Sequence, residues 1–436
     1  MEWLLNLPAC VKVGSAFAGI LLLYRLKAPL GVAILVFSVL LTLWTGTGRQ
    51  GLIFQIRSFA LPQNYLLPVI ILMLLFFSDA LNKTGRMERT IVALKSWLRS
   101  RHILLGGLPA LVGLLPMPAG ALFSAPFVDA VDREKEIEPG LKVAINYWFR
   151  HIWEYWWPLY PGVILAMQYS GLPALTYFLI QVPFTLAAVA GGWLFILRAV
   201  KKTGNEGGGN GNFDAAGIVA ALGPIALLVL ISIAGSALLP PAGIGGALAN
   251  LIAMVAGLIA AIVAVFIGRL QALKPSLRML KRKDTWLMIV LVIGIQAFSN
   301  ALLCPVNAAG STLITGMRDE FVQTGIPLIA VIMLVPFISG MVTGVAFGFV
   351  GASFPIVFAL VGPDPPFSVA AATTAFAYTF GYMGMMLSPM HACFLVTAEY
   401  FRTSIFRAYP YILGPAAVIL LASVLLSSFY YSIVRF

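Results

Sequence analysis

Stretches of about 20 mostly apolar residues recur along this chain of 436 residues. Each is long enough to cross the hydrocarbon core of a bilayer, about 30 Å thick, as an α-helix. A soluble domain needs about 25% charged residues to cover its surface, whereas this chain has 10% charged and 60% hydrophobic residues. The composition excludes a water-soluble protein and predicts an all-α polytopic membrane protein.

Hydropathy predicts ten transmembrane crossings and two half-crossing, re-entrant hairpins. The hairpins are predicted at 102–130 and 325–362, because Pro and Gly interrupt both apolar stretches near the middle, at 116–120 and 336–340. The crossings are predicted at residues 4–24, 28–46, 65–81, 144–170, 172–199, 214–239, 243–268, 286–303, 367–400 and 411–434.

The basic residues orient this map. If both termini lie outside, 22 of the 28 Lys and Arg residues fall in cytoplasmic segments, as the positive-inside rule requires. The same rule accounts for the net charge of +12, so we predict no nucleic-acid partner. The three cysteines are scattered without a redox or metal-binding spacing, and the sequence leaves a metal site undecided.

Two parts of the chain resemble each other. The motif Phe-Ser-Asp-Ala-Leu at 77–81 returns as Phe-Ser-Asn-Ala-Leu at 298–302, and the Pro-x3-Gly of 116–120 returns at 336–340. The spacing Tyr-x-Phe-x8-Pro-x10-Tyr starts at Tyr147 and again 231 residues later. Five predicted crossings separate the first pair of motifs, so the copies face opposite ways, as in many transporters.

The repeat divides the chain into five parts. Residues 1–64 and 214–285 form a predicted scaffold, 65–199 and 286–436 are the two copies, and the Gly-rich residues 200–213 form a flexible linker.

The interrupted helices predict the binding site. Helices that begin after a break direct their positive ends at one point, which suits an anion, and hydroxyl groups there bind a carboxylate or a sodium ion. The same hydroxyls serve equally well as helix-packing contacts. The candidate residues are Pro116, Met117, Pro118, Ala119, Gly120, Ser124, Trp157, Pro158, Tyr160, Ser339, Gly340, Thr343, Gly344, Ser388, Pro389 and His391.

Charged residues inside the spans are few. No Lys or Arg lies at a predicted break, which favours a monocarboxylate or even a neutral polar solute over a multiply charged substrate. Arg150 and Glu154 are four residues apart, so a helix would place them on one face as a structural pair near its cytoplasmic end.

Three strings carry a family resemblance: Leu115 to Pro126, Asn146 to Gly162 and Leu387 to Phe401. They resemble domain-of-unknown-function family 401 of prokaryotic integral membrane proteins, within the ion-transporter superfamily of carboxylate permeases. The resemblance implies a homodimer in the inner membrane, with an elevator motion coupled to sodium or protons. The Ser-Asn-Thr triplets of well-studied carboxylate carriers are missing from both hairpin tips, so substrate and sodium sites do not carry over.

Together these features predict an ion-coupled secondary transporter of a small organic anion, without an enzymatic activity and without a cofactor other than sodium as a candidate coupling ion. A channel or an exporter on the same scaffold is the main alternative. An intramembrane enzyme that uses His391 with Glu154 or a serine is less favoured, because the chain has no Gly-x-Ser-x-Gly motif.

Overall fold

The computed structural model describes residues 7–45, 47–85, 100–114, 120–132, 135–201, 215–307, 310–362 and 365–432. These residues form α-helices and short 3₁₀ turns and contain no β-strand. The α-helices are α1 (Ala9–Arg25), α2 (Leu30–Trp44), α3 (Gly48–Ser58), α4 (Pro62–Lys83), α5 (Arg101–Gly113), α6 (Gly120–Val131), α7 (Pro139–Arg150), α8 (Pro161–Ser170), α9 (Ala174–Phe195), α10 (Ala215–Leu238), α11 (Gly246–Phe266), α12 (Leu273–Leu277), α13 (Lys283–Leu303), α14 (Leu313–Thr324), α15 (Leu328–Thr343), α16 (Ala346–Val361), α17 (Phe367–Met386), α18 (Ala392–Tyr400) and α19 (Tyr409–Ser432).

Five of the described helices, α4, α9, α11, α13 and α19, are long and apolar enough to cross a membrane unaided. A sixth span results if α14 and α15 are counted as one, although the helix direction bends by 119° between them. The predicted crossings at 144–170 and 367–400 are each divided into two helices by a break. The count of ten crossings therefore stays a prediction.

The two copies form the same arrangement of helices. In both, a hairpin (α5–α6 or α15–α16) is followed by a discontinuous helix (α7–α8 or α17–α18) and a long helix (α9 or α19). The first hairpin helix packs on the discontinuous helix of its own copy, as α5 on α7 and α15 on α17. The second hairpin helix contacts the other copy, as α6 on α18 and α16 on α8. The hairpins and discontinuous helices therefore form one interlocked core.

The tip of the second hairpin lies later in the chain than the predicted break. The predicted break at 336–340 is wrong, because α15 continues through Pro336 and Gly340 to Thr343 and turns at Gly344. Gly344 has a φ of 62°, a left-handed conformation that glycine adopts without strain. The first tip falls between Gly113 and Gly120, and Pro116 to Ala119 lie outside the described residues.

Backbone contacts correct the alignment of the two hairpins. Gly113 of α5 lies directly against the carbonyl oxygen of Arg150, and Gly340 of α15 lies against that of Gly381. Arg150 and Gly381 are related by the predicted 231-residue spacing, whereas the two glycines are 227 apart. The counterpart of Pro336 and Gly340 is therefore Pro109 and Gly113, and the predicted match with Pro116 and Gly120 is wrong.

A buried carboxylate fixes the base of the first hairpin. Asp132 follows α6, and its carboxylate lies 2.9 Å from Arg101 Nη2 and 2.8 Å from Lys142 Nζ. It also accepts backbone hydrogen bonds from Glu136 and Ile137. Burial alone would raise the pKa of Asp132, but the hydrogen bonds from Lys142 and the backbone outweigh it, and the pKa is lowered.

A lowered pKa predicts a loss of stability in acid. The contribution of Asp132 is complete above the pKa of an unfolded aspartate, about 3.9, and is lost as the pH falls through the lower folded value. We expect Asp132→Asn to cost about 1.5–3 kcal/mol at neutral pH, because it weakens charge-assisted hydrogen bonds to a buried carboxylate. Thermal unfolding of the purified protein should show this difference shrinking below about pH 4. The exposed Asp319→Asn is the control, and an equal effect of both variants would contradict the assignment.

Candidate functional site

The break in the first discontinuous helix is longer than the one that the Trp-Pro-Leu-Tyr-Pro sequence at 157–161 predicts. Helix α7 ends at Arg150, and residues 151–160 form successive turns in which, for example, the Glu154 N–H donates to the His151 carbonyl. Such bonds reach back three residues instead of four, so the helical repeat is lost. Helix α8 then begins at Pro161, which needs no hydrogen-bond acceptor for its nitrogen.

Equivalent hydrogen bonds tie each break to the hairpin of its own copy. Trp157 Nε1 donates to the Leu114 carbonyl at 2.9 Å, and Ser388 Oγ donates to the Met341 carbonyl at 2.6 Å. Trp157 and Ser388 are 231 residues apart, and their acceptors are 227 apart. The two predicted site residues therefore occupy equivalent positions, and each satisfies a carbonyl at the end of a hairpin helix.

The Ser388 contacts give a specific expectation. The Ser388 hydroxyl donates a hydrogen bond to the Met341 carbonyl and accepts one from the Met390 N–H at 3.1 Å. It therefore acts as both donor and acceptor within the protein. We expect Ser388→Ala to lower stability by about 1 kcal/mol, measured by thermal unfolding, while carboxylate affinity changes less than about threefold. A loss of affinity without a loss of stability would instead favour direct substrate contact.

Arg150 lies at the centre of the two copies. Its guanidinium packs so tightly against Gly120, the first residue of α6, that a Cβ there would overlap it. Arg150 Nη1 also lies 3.4 Å from His151 Nε2 and 3.6 Å from Cys393 Sγ, near the start of α18. The expectation that no Lys or Arg lies at a break is wrong, because α7 ends at Arg150 instead of continuing toward Pro158.

Glu154 and two histidines adjoin this guanidinium. His151 Nε2 is 3.8 Å from Glu154 Oε1, and the His151 and His391 rings are 5.0 Å apart in an edge-on arrangement. All three side chains are buried. Glu154 lies in the turns beyond α7, so the predicted helix-face pair with Arg150 does not form part of a regular helix. His391 Nδ1 has no hydrogen-bond partner among the described residues.

Tyrosines from both copies enclose the cluster. Tyr147 donates its hydroxyl to the Met386 carbonyl at 3.1 Å, and Tyr382 donates to the His151 carbonyl at 2.6 Å. These bonds satisfy carbonyl groups that the breaks leave without a helical partner. The enclosure keeps the charged groups away from lipid.

A metal ion does not fit these residues. His151, His391 and Cys393 have potential ligand atoms within 4.8 Å of one another. Two of these atoms, however, are in contact with the guanidinium of Arg150. A permanent positive charge at this distance opposes a second cation and favours an anion.

The remaining predicted residues are distributed around this cluster. Tyr160 lies before α8 and donates its hydroxyl to the Gly113 carbonyl at 2.5 Å, and Gly344 packs on the backbone of His391. Among the described residues, Ser124 donates to two carbonyls of its own helix, at 3.3 and 3.4 Å. The buried Ser339 hydroxyl has no partner among the described residues. Pro158, Thr343 and Pro389 lie in the breaks and at the second tip.

The helix N-termini meet as two pairs that differ in charge. The start of α6 adjoins that of α18 through contacts with Arg150, and Gly162 of α8 adjoins Ala346 of α16. The atoms nearest Gly162 belong to the backbone and methyl group of Ala346 and to the backbone of Phe347. The guanidinium of Arg150 thus adds a positive charge at the first pair.

Sequence reasoning missed Arg150, His151 and Glu154 as site residues. A signal was present, because the 231-residue spacing relates them to Gly381, Tyr382 and Met385. One copy therefore has charged or titratable groups at positions where the other copy has glycine, tyrosine and methionine. The shared architecture does not require a charge at these positions, so the charge indicates a function.

The family described as "Protein of unknown function (DUF401)" matches residues 14–430. The chain belongs to this family. The fold of this DUF401 member is similar to that of the YdaH transporter of Alcanivorax borkumensis, with a TM-score of 0.59 and 14% identity, over 87% of this chain and 89% of that one. No curated protein matches the DUF401 sequence.

Proposed function

We propose that this DUF401 protein is a secondary transporter of a small organic monocarboxylate, coupled to a sodium or proton gradient. The observation that carries the proposal is the buried guanidinium of Arg150 between the starts of α6 and α18. Similarity to the fold of the YdaH transporter supports a transporter over an enzyme.

The charge of the site supports an anionic substrate. A guanidinium binds a carboxylate through two parallel hydrogen bonds. Holding its charge inside a membrane is costly, so a buried arginine there usually marks a substrate pathway. Helix N-termini add to the positive potential. The positive charge of Arg150 and of the helix N-termini favours a carboxylate over a neutral solute as the substrate. Because there is a single guanidinium, a substrate with one negative charge fits best.

The packing supports an elevator motion. Each hairpin is interlocked with the discontinuous helices of both copies, so these elements can move only as one body. Helix α2 packs with α1 and α13, and α11 packs with α10 and α4, which suits a scaffold outside this core. We place the protein in the inner membrane as a homodimer with both termini outside.

Ligand-dependent stabilisation tests the proposal. Purified protein would be heated with potassium salts of acetate, lactate, pyruvate, benzoate and succinate, with and without sodium. A bound ligand raises the melting temperature by mass action. We expect at least one monocarboxylate to stabilise the protein more than succinate does, and no stabilisation by the matching neutral amides. Equal stabilisation by acids and amides would contradict a carboxylate site.

A further inference from the structure

We infer that each carboxylate is transported together with one proton, which is held between His151 and Glu154. This inference rests on the proposed carboxylate site and specifies its coupling ion. It follows from three features of the buried cluster: the fixed ring orientation of His151, the balance of charge, and the kind of atoms that face the cluster.

The backbone fixes the protonation of the His151 ring. Nδ1 lies 2.6 Å from the carbonyl oxygen of Tyr147, which can only accept a hydrogen bond, so Nδ1 carries a hydrogen. In the neutral ring Nε2 is therefore an acceptor, and it lies 3.4 Å from Arg150 Nη1 and 3.8 Å from Glu154 Oε1. When a carboxylate takes over the hydrogen bonds of the Arg150 guanidinium, a proton on Glu154 can be donated to this nitrogen after a small approach of the two side chains.

The charges of the site require one more positive charge when the substrate binds. Arg150 and Glu154 together are neutral, which suits a buried empty site. A monocarboxylate on Arg150 leaves a net charge of −1, and moving this charge across a bilayer is costly. One proton taken up by the His151–Glu154 pair from the same aqueous side restores neutrality, and it leaves again when the carboxylate leaves.

The surrounding atoms favour a proton over sodium. Sodium, like other hard cations, prefers several oxygen ligands. The polar atoms nearest Glu154 and Arg150 include ring nitrogens of two histidines, and Nδ1 of His391 has no partner among the described residues.

The titratable and charged groups that face His151 from α7, the break, α17 and α18 are Tyr147, Arg150, Glu154, Tyr155, Tyr160, Tyr382, His391 and Cys393.

Calorimetry measures the proton directly. Binding of the five potassium salts named above would be recorded without sodium in phosphate and in Tris, two buffers with different heats of ionisation. The difference in binding heat gives the number of protons taken up per ligand. We expect about one proton for wild type, and none for Glu154→Gln, which imitates a protonated Glu154. The exposed Glu399→Gln is the control, with wild-type uptake expected.

The outcomes separate the inference from the proposed function. Binding to wild type without proton uptake, or undiminished uptake by Glu154→Gln, would overturn proton coupling and leave the carboxylate site intact. If none of the five salts binds to wild type, the proposed function fails and the inference with it. A sodium requirement for binding at constant pH would also contradict the inference.

Discussion

Replacing Arg150 with glutamine is expected to weaken monocarboxylate binding by about 100-fold or more. Hydrogen bonds to a charged group contribute about 1.5–3 kcal/mol, and removing one member of a buried ion pair costs about 2–5 kcal/mol. A 100-fold loss of affinity corresponds to about 2.7 kcal/mol. Arg150→Lys retains the charge without the planar fork, so a smaller loss, of about tenfold, is expected. Calorimetric titration measures both.

The control for this variant is Arg25→Gln, which removes an exposed arginine from the last turn of α1. Its affinity should equal that of wild type. Arg150→Gln also leaves Glu154 without its neutralising partner, so thermal unfolding must show that the variant is folded. A folded Arg150→Gln variant with wild-type affinity would place the substrate elsewhere.

Substituting alanine for Gly113 or Gly340 is expected to destabilise the protein by about 2–3 kcal/mol, near the upper end for overpacking. At both positions the added methyl group would overlap a carbonyl oxygen of the neighbouring discontinuous helix, that of Arg150 or of Gly381. A backbone carbonyl cannot rotate away as a side chain can. Melting temperatures of the purified variants should fall by several degrees.

Gly14→Ala is the matched control, since Gly14 lies within α1 and has no atom near enough to touch an added methyl group. Alanine is preferred to glycine in a helix by about 1 kcal/mol, so this variant should match or exceed wild-type stability. If the melting temperature of Gly340→Ala also matched that of wild type, α15 and α17 would not approach as closely as described. The corrected alignment of the hairpins would then be wrong as well.

Much of the architecture was predictable from the sequence. Apolar stretches and the positions of Lys and Arg indicate membrane helices and two hairpins, because lipid leaves the backbone few alternatives. The 231-residue spacing also relates the discontinuous helices correctly, through Tyr147 and Tyr378. Each of these tyrosines donates to a carbonyl of the other copy's break, Met386 for Tyr147 and Glu154 for Tyr378.

The hairpin alignment and the charged cluster could not be predicted in the same way. Pro336 suggested a break, but a proline within a membrane helix is tolerated where neighbouring helices pack around it. A break that starts near Trp157 leaves Arg150 inside the preceding helix, near its predicted cytoplasmic end. The actual end of α7 depends on tertiary contacts between the first copy and the second, such as the Tyr382 bond to the His151 carbonyl.

The most direct test of transport is accumulation in proteoliposomes. The protein would be reconstituted with an acidic exterior, and uptake of the radiolabelled monocarboxylate that best stabilises it would be followed with time. A monocarboxylic acid also crosses lipid unaided in its neutral form, so empty liposomes under the same gradient give the background rate. We predict an initial uptake rate several-fold above this background, abolished by a protonophore and reduced to background by Arg150→Gln. Protein-dependent uptake at the same rate with and without the pH gradient would contradict a coupled transporter and indicate a channel.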